Sequence, residues 1–178
     1  LIELRRDIHA YPELSWLEER TTDVVAAWMD KIGLSPQRFE GTGLSVDIGP
    51  VGGPIVALRA DLDALPILDT TQDPWRSKNP GVAHACGHDV HISALVGAAT
   101  ALAEADRQVG LPMRVRLIFQ PAEEVMPGGA LRLLSEGVLA GVSRIFALHC
   151  APSLDVGRIG IREGAITGAS DQIHVVLN

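Results

Sequence analysis

Thiol and imidazole side chains cluster in one short segment of the 178-residue sequence, between His84 and His91. Cys86 and His88 stand in this segment with Gly87 between them. Thiolate and imidazole are ligands that Zn²⁺ prefers, and a glycine between two ligands lets both side chains turn inward. Taken alone, the segment fits a buried cysteine beside solvated histidines equally well, because unpaired cysteine is among the most buried residue types.

Adjacent carboxylates, Glu123 and Glu124, form a second candidate cluster. In an extended segment neighbouring side chains point to opposite sides, so one carboxylate could bind a metal while the other faces a substrate cleft. Metal-assisted hydrolysis needs this division, because one carboxylate binds the metal and the other takes the proton of the attacking water. The alternative is a solvated acidic loop. A third candidate, His149, follows an apolar run and is by itself better explained as a hydrogen-bonded core histidine than as a ligand.

The elements that must position these residues follow from the hydrophobic pattern. Apolar residues at helical spacing predict helices, and short runs of β-branched residues bounded by glycine or proline predict strands. The helices are predicted over 1–10, 17–32, 90–105 and 130–136, and the strands over 44–48, 54–60, 113–119, 143–148 and 172–177. This alternation predicts an α/β fold, with a mixed sheet that carries helices on both faces.

The candidate residues fall at the ends of predicted strands. Asp61 and Asp63 close one strand, the glutamate pair follows a second, and His149 follows a third. Open α/β sheets bind ligands outside the carboxyl ends of their strands, so we expect these clusters in one crevice, which the Cys86 segment could also reach.

Composition and charge narrow the classes of function. A hydrophobic fraction of 47% is enough for one substantial core, and a net charge of −7 argues against nucleic-acid binding. No apolar run is long enough to span a bilayer, so no membrane partner is expected. Cys86 and Cys150 could pair, but two cysteines are far fewer than a disulfide scaffold needs, and we expect a reducing cytoplasm.

Four motifs stand in order along the chain: RADLDALP at 59–66, HACGHD at 84–89, QPAEE at 120–124 and LHCAP at 148–152. Together they resemble the M20 metallopeptidase family. The match is to its amidohydrolase branch, which includes hippurate hydrolases, N-acyl-amino-acid deacylases and plant auxin-conjugate hydrolases. Residues 6–14 also resemble the first helix of that branch, so the similarity extends over essentially the whole chain.

The resemblance implies a site for two divalent metal ions, with zinc or manganese expected from the ligand types. It implies that Cys86 bridges the two ions. The other ligands of the two ions would be His88, Glu124 and His149. Glu123 would be the general base, and Asp63 would join it in catalysis by orienting a ligand, although a turn or capping role is the competing interpretation for Asp63.

The activity implied is hydrolysis of the amide of an N-acyl amino acid or a related conjugate, by a water that bridges the metals. Residues 1–166 would form the metal-binding catalytic domain, and 167–178 would begin a smaller substrate and dimerisation domain that is otherwise absent, together with a last histidine ligand. The full-length protein would be a homo-oligomer. One departure from the family is that Val125, Met126 and Pro127 stand between the glutamate pair and a Gly-rich turn.

Two other functions remain open at this point. A thiol enzyme would use Cys86 as nucleophile and His88 or His149 as base, but it would leave the glutamate pair without a role. A metal-binding module without catalytic activity would use the same ligands and carry out no reaction.

Overall fold

The protein is described by a computed structural model, which covers residues 1–166 and 175–176. Its sheet contains β1 (Gln37–Arg38), β2 (Leu44–Ile48), β3 (Ile55–Asp61), β4 (Arg114–Gln120) and β5 (Val142–Ala147), in the spatial order β1-β2-β4-β3-β5. β2 is antiparallel to β1 and to β4, whereas β3 is parallel to both β4 and β5. The predicted mixed sheet is confirmed.

The helices lie on both faces of this sheet, as predicted. They are α1 (Ile2–Ala10), α2 (Glu19–Lys31), α3 (His88–Val109) and α4 (Gly129–Ser135). Side chains of α1, α2 and α3 form one core with Leu117 and Phe119 of β4, while Leu133 of α4 packs on the other face with Ile118 and Ala57. Successive residues of β4 are therefore buried in opposite layers, because the side chains of a strand alternate between its faces.

The parallel pairing of β4, β3 and β5 brings three carboxyl ends to one edge of the sheet. Asp61 is the last residue of β3, Gln120 is the last of β4, and β5 ends two residues before His149. The expectation that the polar clusters share one edge is confirmed.

Some boundaries differ from the prediction. The two-residue strand β1 was not predicted, since two exposed residues carry no periodic signal. Helix α3 begins at His88 rather than at residue 90, because Gly87 adopts a left-handed conformation, with φ of 86°, and lets the chain turn into the helix two residues earlier. The strand predicted at 172–177 and the second domain predicted at 167–178 lie outside the described residues, apart from 175–176.

Within the described ranges, the helices are too short or too polar for any of them to cross a bilayer.

Candidate metal centre

The four residues predicted as metal ligands lie together at the carboxyl edge of the sheet. One ligand atom each from Cys86, His88 and Glu124 lies within 4.8 Å of the other two. The Sγ atom of Cys86 is 3.4 Å from Nε2 of His149. The start of α3, the loop after β4 and the loop after β5 thus contribute to one cluster.

Hydrogen bonds fix both histidines with a free lone pair on Nε2. The Nδ1–H of His88 donates to the main-chain oxygen of Asp63 at 2.8 Å, and the Nδ1–H of His149 donates to the main-chain oxygen of Cys150 at 2.8 Å. Because a carbonyl can only accept, each Nδ1 carries the proton and each Nε2 can bind a metal. Such a bond from the other ring nitrogen is typical of metal-binding histidines.

Unpaired polar atoms in this cluster fit a bound cation. Nε2 of His88 and Oε1 of Glu124 are buried and have no hydrogen-bond partner among the described residues. Buried polar groups are normally paired, so these two atoms call for a partner that the chain itself does not supply. A thiol, two imidazoles and a carboxylate are the donors that Zn²⁺ binds, and Mn²⁺ would also accept the imidazole and carboxylate groups.

The electrostatics of the centre also favour a cation. The carboxylates of Asp61, Glu123 and Glu124 lie 3.6, 3.9 and 3.6 Å from Nε2 of His88. Burial, and then the nearby carboxylates, chiefly that of Glu124, raise the pKa of the Cys86 thiol to about 12. A nucleophilic cysteine needs a lowered pKa, so this surrounding argues against the thiol enzyme. A metal ion would reverse the effect, because a coordinating thiol is deprotonated.

The glutamate pair does not divide its side chains as the extended-strand argument predicted, and that interpretation is wrong. Ala122, just before the pair, has a left-handed φ of 49°, so the segment turns and both carboxylates approach the imidazole of His88. The difference between them is exposure, since the side chain of Glu123 is 40% exposed and that of Glu124 is 21% exposed. Glu123 is therefore the more accessible to a substrate.

Burial raises the pKa of the Glu123 carboxyl above its usual value, and the charges of Glu124 and Asp61 raise it further. A carboxyl with a raised pKa is suited to accept and return a proton near neutral pH.

Asp63 forms hydrogen bonds with both His88 and Glu124. Its Oδ2 accepts hydrogen bonds from the hydroxyl of Ser15 at 2.6 Å and from the N–H of Glu124 at 3.0 Å. Its main-chain oxygen orients His88. Burial acts to raise the pKa of Asp63, but the nearby ring of His88 and the hydrogen bonds from Ser15 and Glu124 outweigh it, and the pKa is lowered. The carboxylate is thus held charged, which fits an orienting role rather than a simple turn.

His91 contacts residues of the centre, although no role was predicted for it. Its Nε2 accepts the N–H of Cys150 at 2.9 Å, so its Nδ1 carries the proton and donates to Oδ1 of Asp61 at 2.7 Å. Arg59 holds the other oxygen of Asp61 at 2.6 Å. Both ring nitrogens of His91 are thus hydrogen-bonded, and the ring connects Asp61 to the loop that carries His149. Its place three residues after His88 on α3, and hence on the same helix face, was the available signal.

Asp89, another motif residue of this region, connects α3 to α1. His9 of α1 donates from Nδ1 to Oδ2 of Asp89 on α3 at 2.8 Å, and Nε of Arg5 lies 2.7 Å from the same oxygen. Burial lowers the pKa of His84 to about 4, so its ring is neutral.

Comparison with known proteins agrees with this geometry. The model of Peptidase family M20/M25/M40 matches residues 57–175, and the chain belongs to this family. A Bacillus subtilis (strain 168) protein named N-acetylcysteine deacetylase is 43% identical over 182 residues, which cover 99% of this chain and 47% of that protein. A solved Bacillus subtilis structure, described as a dinuclear metal-binding peptidase of the M20 family, is 44% identical with a TM-score of 0.86, over 92% of this chain and 46% of that one.

A third relative carries a different name. A Rhodococcus jostii (strain RHA1) protein named as a glutamate–cysteine ligase is 53% identical over 178 residues, but the match covers 99% of this chain and 22% of that protein. The chain spans less than half the length of each of these three relatives.

Proposed function

We propose that this chain provides the metal-binding catalytic part of a hydrolase that cleaves the amide of an N-acyl amino acid or a related conjugate. The observation that carries the proposal is the convergence of Cys86, His88, Glu124 and His149 beside a second, more exposed carboxylate, Glu123. Four of these residues, Cys86, His88, Glu124 and His149, would hold two divalent ions, and the fifth, Glu123, would be free to move a proton.

Bound to these ligands, the metal ions would lower the pKa of a water molecule and polarise the amide carbonyl. Glu123 would accept the proton of the attacking water and return it to the departing amine. Its raised pKa supports both steps, because the group must take a proton and then release it. Asp63 would keep His88 and Glu124 in place through the hydrogen bonds that it accepts.

The substrate class rests on the relatives rather than on a pocket of this chain. The B. subtilis relative is named for removing the acetyl group of N-acetylcysteine, and the reaction proposed here is the same class of amide cleavage. N-Acetylcysteine is therefore the first substrate to try, followed by a panel of N-acyl amino acids.

The replacement Glu123→Gln tests the proposed reaction. In the metal-loaded protein, we expect kcat to fall by about 10²-fold or more, since general acid–base catalysis contributes that much, while the metal content stays the same. Glu19→Gln, at an exposed position in the first turn of α2, is the control and should leave both quantities unchanged. Near-normal turnover by the Glu123→Gln protein would overturn the role of Glu123. Metal binding without turnover in the parent protein would favour the non-catalytic module.

A further inference from the structure

Glu18 is a fully buried carboxylate that the proposed reaction does not use. Its exposed fraction is 0%, and the groups that donate to it are neutral. Burying a charged group is costly unless the group is paired or has a compensating use. Glu18 stands just before α2, where a carboxylate could cap the helix.

Helix capping does not explain Glu18. The free N–H groups at the start of α2, those of Arg20 and Thr21, donate to the carboxylate of Glu13 at 3.0 and 2.7 Å. The side chain of Glu18 points elsewhere. Its Oε2 accepts the hydroxyl of Thr42 at 2.6 Å, and its Oε1 accepts the N–H of Ala122 at 2.7 Å.

Ala122 is the residue that turns the chain into the glutamate pair. Its φ of 49° lies in the left-handed region, which non-glycine residues adopt only when their surroundings hold them there. Ala122 is fully buried, and its oxygen accepts the N–H of Gly129 at 2.8 Å, so it is held from both sides. The next two residues bring their carboxylates to 3.9 and 3.6 Å from Nε2 of His88.

We propose that Glu18 is a positioning residue for the metal centre: its hydrogen bond to the Ala122 N–H maintains the left-handed turn that directs Glu123 and Glu124 toward His88. The proposal rests on the function proposed above. A hydrogen-bond acceptor is what the position needs, and a charge is not, because both donors are neutral groups. Burial raises the pKa of Glu18, which agrees with a position where charge has no use.

Variants of Glu18 can separate the need for a hydrogen-bond acceptor from the need for a charge. Glu18→Gln keeps an oxygen for the Ala122 N–H and has an amide that can donate to the Thr42 hydroxyl. Glu18→Met fills similar space without an acceptor. Glu18→Asp keeps the charge but is one methylene too short to reach Ala122, and it serves if the Met variant does not fold. Glu13→Ala is the control, because it removes a cap of α2 in the same segment but touches no residue of the centre.

The first measurement is the affinity for Zn²⁺, by competition with a chromophoric chelator, and the second is kcat and KM for N-acetylcysteine. We expect the Met and Asp variants to bind Zn²⁺ about 10- to 100-fold more weakly, as for other residues that orient metal ligands, and to lose kcat with little change in KM. The Gln variant should restore both values to within about threefold of the parent. The Glu13→Ala protein should unfold at a lower temperature but bind Zn²⁺ as tightly as the parent.

Two results would overturn the proposal. One is parent-like Zn²⁺ affinity and kcat in the Met or Asp variant. The other is an equal loss of affinity in the Glu13→Ala protein, which would mean that any damage to this segment weakens the centre. A parent protein that binds no Zn²⁺ would instead refute the proposed function, so the two failures are distinguishable.

Discussion

The Sγ atom of Cys86 lies 3.4 Å from Nε2 of His149, and the ring of His149 is held so that a lone pair faces the sulfur. This contact joins the loop before α3 to the loop after β5, which no local sequence signal connects. Without a cation, burial and the carboxylates around the sulfur keep it protonated, because they raise its pKa. If a cation is bound, the sulfur and the imidazole nitrogen are both suitable ligands for it, so removing the sulfur should weaken metal binding.

Replacing Cys86 with Ser should weaken Zn²⁺ binding by at least about tenfold, because a thiolate ligand is exchanged for a poor one. In protein loaded with Co²⁺ instead of Zn²⁺, the thiolate-to-cobalt charge-transfer absorption should disappear. Cys150→Ser is the matched control: its sulfur faces the main chain of Gly87 and belongs to no predicted ligand set, so both readouts should persist. If the absorption survives in the Cys86 variant, the metal is bound by other atoms.

Asp63→Asn tests whether the buried carboxylate orients the ligands. The carboxylate oxygen that meets the Ser15 hydroxyl and the Glu124 N–H is an acceptor for both, and Asn must either place its NH₂ group there or turn it toward Nδ1–H of His88. Either choice brings donors together, so we expect Zn²⁺ affinity to fall by about 10- to 100-fold in a chelator competition.

Ser15→Ala is the graded comparison for this prediction. It removes one of the hydrogen bonds to Asp63 and leaves the charge, so its effect on Zn²⁺ affinity should be the smaller of the two. An Asn variant with the affinity of the parent would leave Asp63 with only a structural role.

Most of the fold around the candidate site could be predicted from the pattern of strands in the sequence. The strands predicted at 54–60, 113–119 and 143–148, each followed by polar residues, already implied a shared edge, because parallel strands place their carboxyl ends together. The resemblance to a family then supplied the roles. The residues found in these two ways all stand in recognisable local patterns.

The role of Glu18 and the turn at Ala122 could not be found in this way. Glu18 is used through a bond to Ala122, which is 104 positions away, and in the sequence it resembles any surface glutamate near a helix start. The left-handed turn at Ala122 has no signal either, since alanine does not favour that conformation. The prediction for the glutamate pair failed for this reason: an extended segment was assumed where tertiary hydrogen bonds impose a turn.

His91→Phe should destabilise the fold as well as the centre. An aromatic ring is kept at this position, but the Cys150 N–H loses its acceptor and Asp61 loses a donor. Leaving buried polar groups unpaired costs about 1–3 kcal/mol, which urea unfolding in the presence of a chelator would measure. Thr100→Ala on the same helix removes only a local bond to Val96 and should change stability by no more than about 0.5 kcal/mol. Equal stability of the Phe variant and the parent would mean that the two hydrogen bonds of the His91 ring contribute nothing to the stability of the fold.

Glu13→Ala should cost about 1 kcal/mol of stability, the usual loss when a helix N-terminus loses its capping acceptor. The carboxylate of Glu13 accepts two main-chain N–H groups of α2 and also places a negative charge at the positive end of the helix. Glu13→Gln should lose less, because one acceptor oxygen remains. Thermal unfolding of the metal-free proteins gives the comparison, and a larger loss for Gln than for Ala would contradict this account of the helix start.

The buried carboxyl of Glu18 should make stability depend on pH in a direction opposite to that of a salt-bridged acid. Burial raises its pKa in the folded protein above the ordinary value, so between the two values the folded protein binds more protons than the unfolded chain. The contribution of Glu18 is therefore fully present below the ordinary pKa and declines as the pH rises through the folded value.

Glutamine at position 18 cannot titrate, so the free energy of unfolding of the parent minus that of the Glu18→Gln variant should decrease as the pH rises from below to above the ordinary pKa of a glutamate. Urea unfolding across this range, with a chelator present so that metal binding does not contribute, measures the difference. All other groups titrate alike in the two proteins and cancel. A difference that increases with pH would mean that Glu18 is stabilised as the anion, and its two neutral donors would then be holding a charge rather than merely completing a hydrogen-bonded turn.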